Sequence, residues 1–208
     1  MTETTQRRDR RADRHAATKR EILDAAWALS RERGLAGWAL RDVAEAVGMR
    51  APSLYVYFAS KNALYDAMFA DGYAALHARA VQLENHLAHQ GAAPVEVARA
   101  GAAMFVDFCV EEPARMQLLF LRTIPGFEPS ADAYALAQQP FEQMTAVLVA
   151  AGMGSAQQVD LWTALLTGLA TQQISNDPGG DRWSRLVEPA VDMFVAAHLP
   201  PAAQDGPG

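Results

Sequence analysis

The sequence predicts an all-α protein of about nine or ten helices, and three observations carry that expectation. No segment of its 208 residues alternates apolar and polar side chains with a period of two, the pattern of a half-buried strand. Apolar residues recur instead at intervals of three and four along nearly the whole chain, the pattern of amphipathic helices. The stretch from Ala39 to Phe58, ALRDVAEAVGMRAPSLYVYF, has the spacing of two short helices joined by a tight turn, a helix-turn-helix. The chain carries no internal repeat.

Taken in order, residues 1–15 hold five arginines and no hydrophobic period. They read as a disordered basic arm, either a solvated tail or a segment that lies along DNA. Thr18 to Glu21 spells a capping box, Ile22, Ala25, Ala26 and Leu29 form a helical stripe, and Gly34 stops this first helix. Leu40, Val43, Ala44 and Val47 give the second helix one inward stripe, and Gly48 supplies the positive φ of the turn. In the third helix Leu54 and Phe58 face inward, Pro52 and Val56 outward, with Ser53 and Tyr55 on the flanks. Ser60 caps a fourth helix that runs to about Gln90. Lys61 in its first turn is a cation where the helix dipole disfavours one, unless an anion such as phosphate is near.

A fifth helix starts at Pro94 and stops before Pro113, and a short sixth follows to Leu121. After a loop at 124–129, Ser130 begins a helix to about Ala151 that is broken or kinked near Pro140. Ser155 caps a helix to Ser175, AsnAspProGlyGly at 176–180 is a turn, and a last helix runs from about Asp181 to Leu199. Residues 200–208 read as a disordered tail. The expected domains are thus 16–62 for the helix-turn-helix and 63–199 for a larger helical body.

Charge divides along the same line. Residues 1–70 hold 12 Lys/Arg against 9 Asp/Glu, whereas 71–208 hold 6 against 15, so a net +3 head sits on a net −9 body. A dipole of this sense turns one end toward a polyanion. Cys109 is the only cysteine, which excludes an internal disulfide and a thiolate zinc cluster. No leader or membrane span is legible, so a cytoplasmic location is expected. The sequence has no glycine-rich phosphate loop, no GxSxG elbow and no paired carboxylates flanking a polar pocket signal, and no enzyme, cofactor or metal is expected. His77, Glu84, His86 and His89 share one helix and read as a solvated face.

IleLeuAspAlaAla at 22–26, ArgGluArgGly at 31–34, LeuArgAspValAlaGluAlaValGly at 40–48, ProSerLeuTyr at 52–55 and TyrPheAlaSerLysAsnAlaLeu at 57–64 resemble the TetR family of bacterial transcriptional regulators. The resemblance is strong over residues 18–66 and rests on length and helical layout beyond. It implies an N-terminal three-helix DNA-binding domain and a larger C-terminal helical domain for ligand binding and dimerisation. Where that family offers Thr or Ser to cap the second helix and touch a phosphate, this chain has Trp38 and Ala39. Arg41, one residue into the helix, is the electrostatic substitute. The DNA-contacting set is then Arg41, Arg50, Ala51, Pro52, Ser53, Tyr55, Val56, Tyr57 and Lys61.

The helix from Ser155 to Ser175 is apolar almost all round, so both of its faces are expected to be covered. One reading is a core helix of a monomer. The other, which the resemblance implies, pairs Leu161, Ala164, Leu165, Gly168 and Thr171 with a second subunit. Phe105, Phe108, Cys109, Met116, Phe120, Phe141, Met144 and Trp162, with Tyr134, are either plain core or the lining of an apolar effector cavity. The expected function is a homodimeric repressor that binds a palindromic DNA operator and is released by a small apolar effector. The rival is a small-molecule-binding protein or enzyme with a vestigial head, and a third reading is a ligand-free architectural protein.

Overall fold

The structure is a computed structural model that describes the backbone of residues 2–199 and side chains from Ala12 onward. The tail expected at 200–208 lies outside the described residues. Among the described residues there is no strand. Nine α-helices follow one another: α1 Thr2–Arg33, α2 Leu40–Ala46, α3 Ala51–Leu54, α4 Lys61–His89, α5 Pro94–Glu111, α6 Pro113–Phe120, α7 Ala131–Ala150, α8 Ala156–Asn176 and α9 Val187–His198. No described helix is long and apolar enough to cross a membrane.

Three boundaries differ from the sequence reading. First, α1 begins at Thr2, so Thr18 is an interior residue and the expected irregular arm is helical over 2–15. A capping box is a local signal, and nothing upstream of it, neither Pro nor Gly, stops the helix from continuing. Second, α7 runs through Pro140 without interruption; its ring is buried. Third, the last helix starts late. Gln173, fully buried on α8, accepts the N–H groups of Trp183 and Ser184 at 2.8 and 3.1 Å and donates to the Gly180 carbonyl at 3.0 Å. These groups are thereby held outside a helix, and a single 3-10 turn, Ser184–Leu186, leads into α9.

The chain forms two compact units, residues 1–72 with 114–134 and residues 73–113 with 135–208. In the second, α5 packs on α8 and α9. Trp162 meets the Phe194 ring edge-on at 5.2 Å, and Arg99 of α5 pairs with Asp192 of α9. Val159, Trp162, Leu166, Ala170 and Gln173 form the buried stripe of α8. Each large apolar side chain so buried contributes about 1.5–3 kcal/mol.

In the first unit, α6 joins the head: Gly72 of α4 leaves room for Leu119, whose Cδ1 lies 2.8 Å from where a Cβ on Gly72 would stand. The loop that follows α6 is fastened to α4 as well. Asp66 accepts the Ser130 N–H at 2.7 Å and its hydroxyl at 2.8 Å, and the Phe127 ring lies 5.7 Å from Tyr65 and 6.4 Å from Phe69. On the α1 side, Asp71 receives Arg20 at 2.5 Å and the Trp27 indole N–H at 3.1 Å.

The first two turns of α4 also hold the loop between α1 and α2. Lys61 Nζ donates to the Trp38 carbonyl at 2.5 Å and sits 4.2 Å above the Trp38 ring. The Tyr65 hydroxyl donates to the Leu35 carbonyl, and its ring meets Trp38 edge-on at 5.4 Å. The Trp38 indole N–H in turn donates to Ser30 Oγ at 2.9 Å, and Ser30 passes its own proton to the Ala26 carbonyl at 2.7 Å. Trp38 thus has a packing role that a small capping residue could not fill.

Burial pushes the Tyr65 hydroxyl up to about 12 from an ordinary value near 10. In the unfolded chain it ionises near pH 10, in the folded chain near 12, so this group's contribution to stability is whole below pH 10 and is lost as pH rises toward 12. Tyr65→Phe should cost about 1 kcal/mol at neutral pH for the lost hydrogen bond and show a shallower alkaline decline in urea denaturation. Lys61, whose ammonium is lowered by burial, adds an opposite slope to both proteins and drops out of the comparison. Identical alkaline slopes would contradict the buried hydroxyl.

Candidate nucleic-acid interface

The reading element is built by sterics. Val43 and Ala44 of α2 and Leu54 and Phe58 beyond the turn are buried, with Val47 half-buried beside them. Gly48 has φ +69°, a conformation that costs an L side chain roughly 1–2 kcal/mol, and the Met49 N–H closes the turn on the Ala44 carbonyl at 2.8 Å. α3 itself is one turn, but hydrogen bonds from Tyr57 and Phe58 to the Leu54 carbonyl, at 2.9 and 3.0 Å, carry the coil on to Phe58. Its inward residues are fixed by the seam, so its other face is fixed too.

That face is open. Tyr55 is 54% exposed and Val56 76%, with Arg50, Pro52 and Ser53 also exposed and Ala51 and Tyr57 half-buried. An aromatic ring and a branched hydrocarbon left in water on a basic head have no folding role there. At the start of α2, Ala39 has no side chain to cap with. The carboxylate of Asp42 takes the Ala39 N–H at 2.6 Å instead. Arg41 stands almost fully exposed, 3.7 Å from Asp42, which offsets a cation in the first turn.

Lys61 is placed differently from a simple phosphate ligand. Its ammonium is turned back onto the carbonyls of Trp38 and Ala36, at 2.5 and 3.5 Å, and lies under two rings. Its structural partners are 23 and 25 residues away, which the local dipole argument could not reveal. Two further residues escaped the sequence reading. His15 stacks on Tyr57 with centroids 4.7 Å apart, and Lys19 lies over the Phe58 ring at 5.7 Å.

The remaining candidates fall in different places. Among the expected effector residues, Met116 and Phe120 belong to the first unit, while Phe105, Phe108, Cys109, Phe141, Met144 and Trp162 belong to the second. Phe108, Cys109, Met116 and Trp162 are buried, Phe105, Phe120 and Met144 half-buried, and Phe141 is 50% exposed on the outside of α7, as is Tyr134 at 57%. Phe108 packs under Arg79, itself paired with Glu111 at 2.9 Å. Within the single chain α8 is covered on one face only. Leu161, Ala164 and Gly168 are exposed, Leu165 and Thr171 half-buried, and a Cβ on Gly168 would meet nothing within 4 Å. Among the described residues no three His, Cys, Asp or Glu side chains converge on a metal-sized site. His86 instead contacts Gln90, just past the end of α4, and His89 the Asn85 carbonyl on its own helix.

Comparison with known proteins agrees with this geometry. Residues 22–68 match the family model described as bacterial regulatory proteins, tetR family. No curated protein sequence matches the chain. Among solved structures, the TetR family transcriptional regulator PfmR from Thermus thermophilus superposes with a TM-score of 0.63 at 20% identity, over 84% of this chain and 96% of that one. A TetR transcriptional regulator from Streptomyces coelicolor gives 0.53 at 24% identity, over 86% and 97%. The transcriptional regulator FadR from Bacillus subtilis, in complex with stearoyl-CoA, gives 0.61 at 15% identity, over 85% and 97%. The chain thus carries a head that matches the tetR family over residues 22–68 and has the fold of TetR family transcriptional regulators over most of its length.

Proposed function

We propose that the protein is a homodimeric repressor that binds a palindromic operator with one helix-turn-helix per subunit and is released by a small, largely apolar effector. The observation that carries this reading is the exposed face of the third helix, Pro52, Ser53, Tyr55 and Val56, held rigid by a buried seam on a basic head. Dimerisation is supported by the apolar stripe of α8 that the chain leaves uncovered, and by Met193 of α9, 68% exposed. An apolar effector is supported by Phe105, Phe108, Cys109 and Met144 in the second unit, and by a regulator of this fold that holds an acyl-CoA. Half-sites on one face of DNA lie about 34–36 Å apart, so release needs only a change of a few ångströms between heads.

Val56 sets the specificity. A hydrocarbon reads one major-groove feature, the thymine C5-methyl, while Arg50 forks onto guanine or holds a phosphate. From a library of random duplexes the full chain should select a palindrome with a thymine opposite Val56 in each half-site. Uracil at that position, or Val56→Ala, should each weaken binding by about 1 kcal/mol per half-site, roughly fivefold. Full affinity with every thymine replaced would leave the readout to Arg50, Ser53 and Tyr55.

Gly168→Leu adds a side chain where the single chain has open space, so folding of the monomer should be unaffected. In a dimer paired through α8 the same side chain overpacks the interface, and sedimentation should show dissociation to monomers. An intact dimer would move the interface elsewhere.

A further inference from the structure

The part of α7 that belongs to the second unit holds a polar side chain that the packing leaves unserved. Gln143 Oε1 is shut off from solvent, yet no described residue gives it a hydrogen bond. Buried polar atoms are normally paired, so an orphaned acceptor calls for a donor from outside the chain. One turn back, Pro140 has no N–H to give the Leu136 carbonyl, which loses its helical partner. At 100° per residue Leu136, Pro140 and Gln143 lie within about 60° of one another. Pro140 is buried and the other two are half-buried, so this stripe faces inward. Helical side chains lean toward the N-terminus of their helix, which carries the Gln143 amide over the turn of Pro140. Two acceptors, one orphaned and one deprived of its helical donor, thus share one turn. The charge of the unit selects among donors. Residues 73–113 and 135–208 hold four arginines and no lysine against twelve Asp and Glu, and Arg79 and Arg99 are already paired with Glu111 and Asp192. An anion entering this unit meets a field of its own sign.

Resting on the reading that the second unit takes an apolar effector, we propose that this effector carries a hydrogen-bond donor, a hydroxyl or an amine, that Gln143 Oε1 accepts beside the Leu136 carbonyl, and that it carries no anion. Local geometry and overall field agree, since both acceptors repel an anion and both can take a proton donor. Fatty alcohols and long-chain amines have the right chemistry. A fatty acid or an acyl-CoA does not, because its carboxylate or phosphates bring negative charge into an acidic unit. Gln143 is the specificity-determining residue. Leaving its oxygen unpaired costs the effector-free protein stability, and a bound donor recovers it. A molecule of the same size that lacks the donor leaves the oxygen orphaned and is rejected for that reason.

The test uses the full chain and three probes of matched length: 1-undecanol, decyl methyl ether, which lacks the donor, and decanoate. A bound probe raises the thermal midpoint, and titrating that rise gives an affinity. 1-Undecanol should bind about fivefold more tightly than the ether, and decanoate should give no shift. Gln143→Met, which keeps the length and removes the acceptor, should raise the midpoint of the probe-free protein by about 2–4 °C and erase the preference for the alcohol. Pro140→Ala, a better helix former whose N–H serves Leu136, should narrow the preference. Equal binding of alcohol and ether to the parent would mean that water serves Gln143, and a preference unchanged in both variants would place the donor elsewhere. Either result overturns the proposal, as does a shift with decanoate or a lowered midpoint in Gln143→Met. A parent that binds none of the three overturns the apolar-effector reading on which the proposal rests, so the two failures are distinguishable.

Discussion

The head depends on the start of α4 reaching back to the loop that launches α2. That loop, residues 34–39, has no regular hydrogen bonding of its own beyond a short turn, and its carbonyls must be satisfied from elsewhere. Lys61 serves Trp38 and Ala36, Tyr65 serves Leu35, and Ser30 takes the indole proton of Trp38. A buried acceptor left without its donor costs about 1–3 kcal/mol, a large part of what holds a small helical head together. Because α2 begins where this loop ends, and the third helix is seated on α2 through Val43, Ala44 and Leu54, the attitude of the reading face follows from the clamp.

The same turns of α4 carry Asp66 and Phe69, which fasten the loop after α6 through Ser130 and Phe127. Tyr65 touches both Trp38 and Phe127, so one side chain stands between the loop that launches α2 and the loop that follows α6. In the second unit Gln173 plays the comparable part. A single buried amide satisfies the turn at 177–184 and thereby sets where α9 begins.

What the sequence made legible was whatever depends on near neighbours. The helix-turn-helix was readable because Val43, Ala44, Leu54 and Phe58 obey a 3.6-residue period and Gly48 is where φ must be positive. Ser155 capping α8 through Gln158 was readable for the same reason. Thr18 misled because a cap signal within a run of helix-permissive residues need not be obeyed. The association of α6 with the head, the two carbonyl partners of Lys61 and the stack of His15 on Tyr57 were not legible, since each joins residues more than 20 apart and leaves no periodic trace. The helix expected to be covered all round turned out to be covered by its own chain on one face, because α5 and α9 reach only the stripe that contains Trp162 and Leu166.

The claim that the α4 clamp holds the reading element is tested most directly by native-state hydrogen exchange on Lys61→Met, which keeps the aliphatic stem and removes the ammonium. The amides of Val43, Val47 and Phe58 should lose protection by roughly tenfold or more, a local cost above 1 kcal/mol, while those of α8 and α9 keep theirs. Unchanged protection in α2, or an equal loss in α8, would contradict the account.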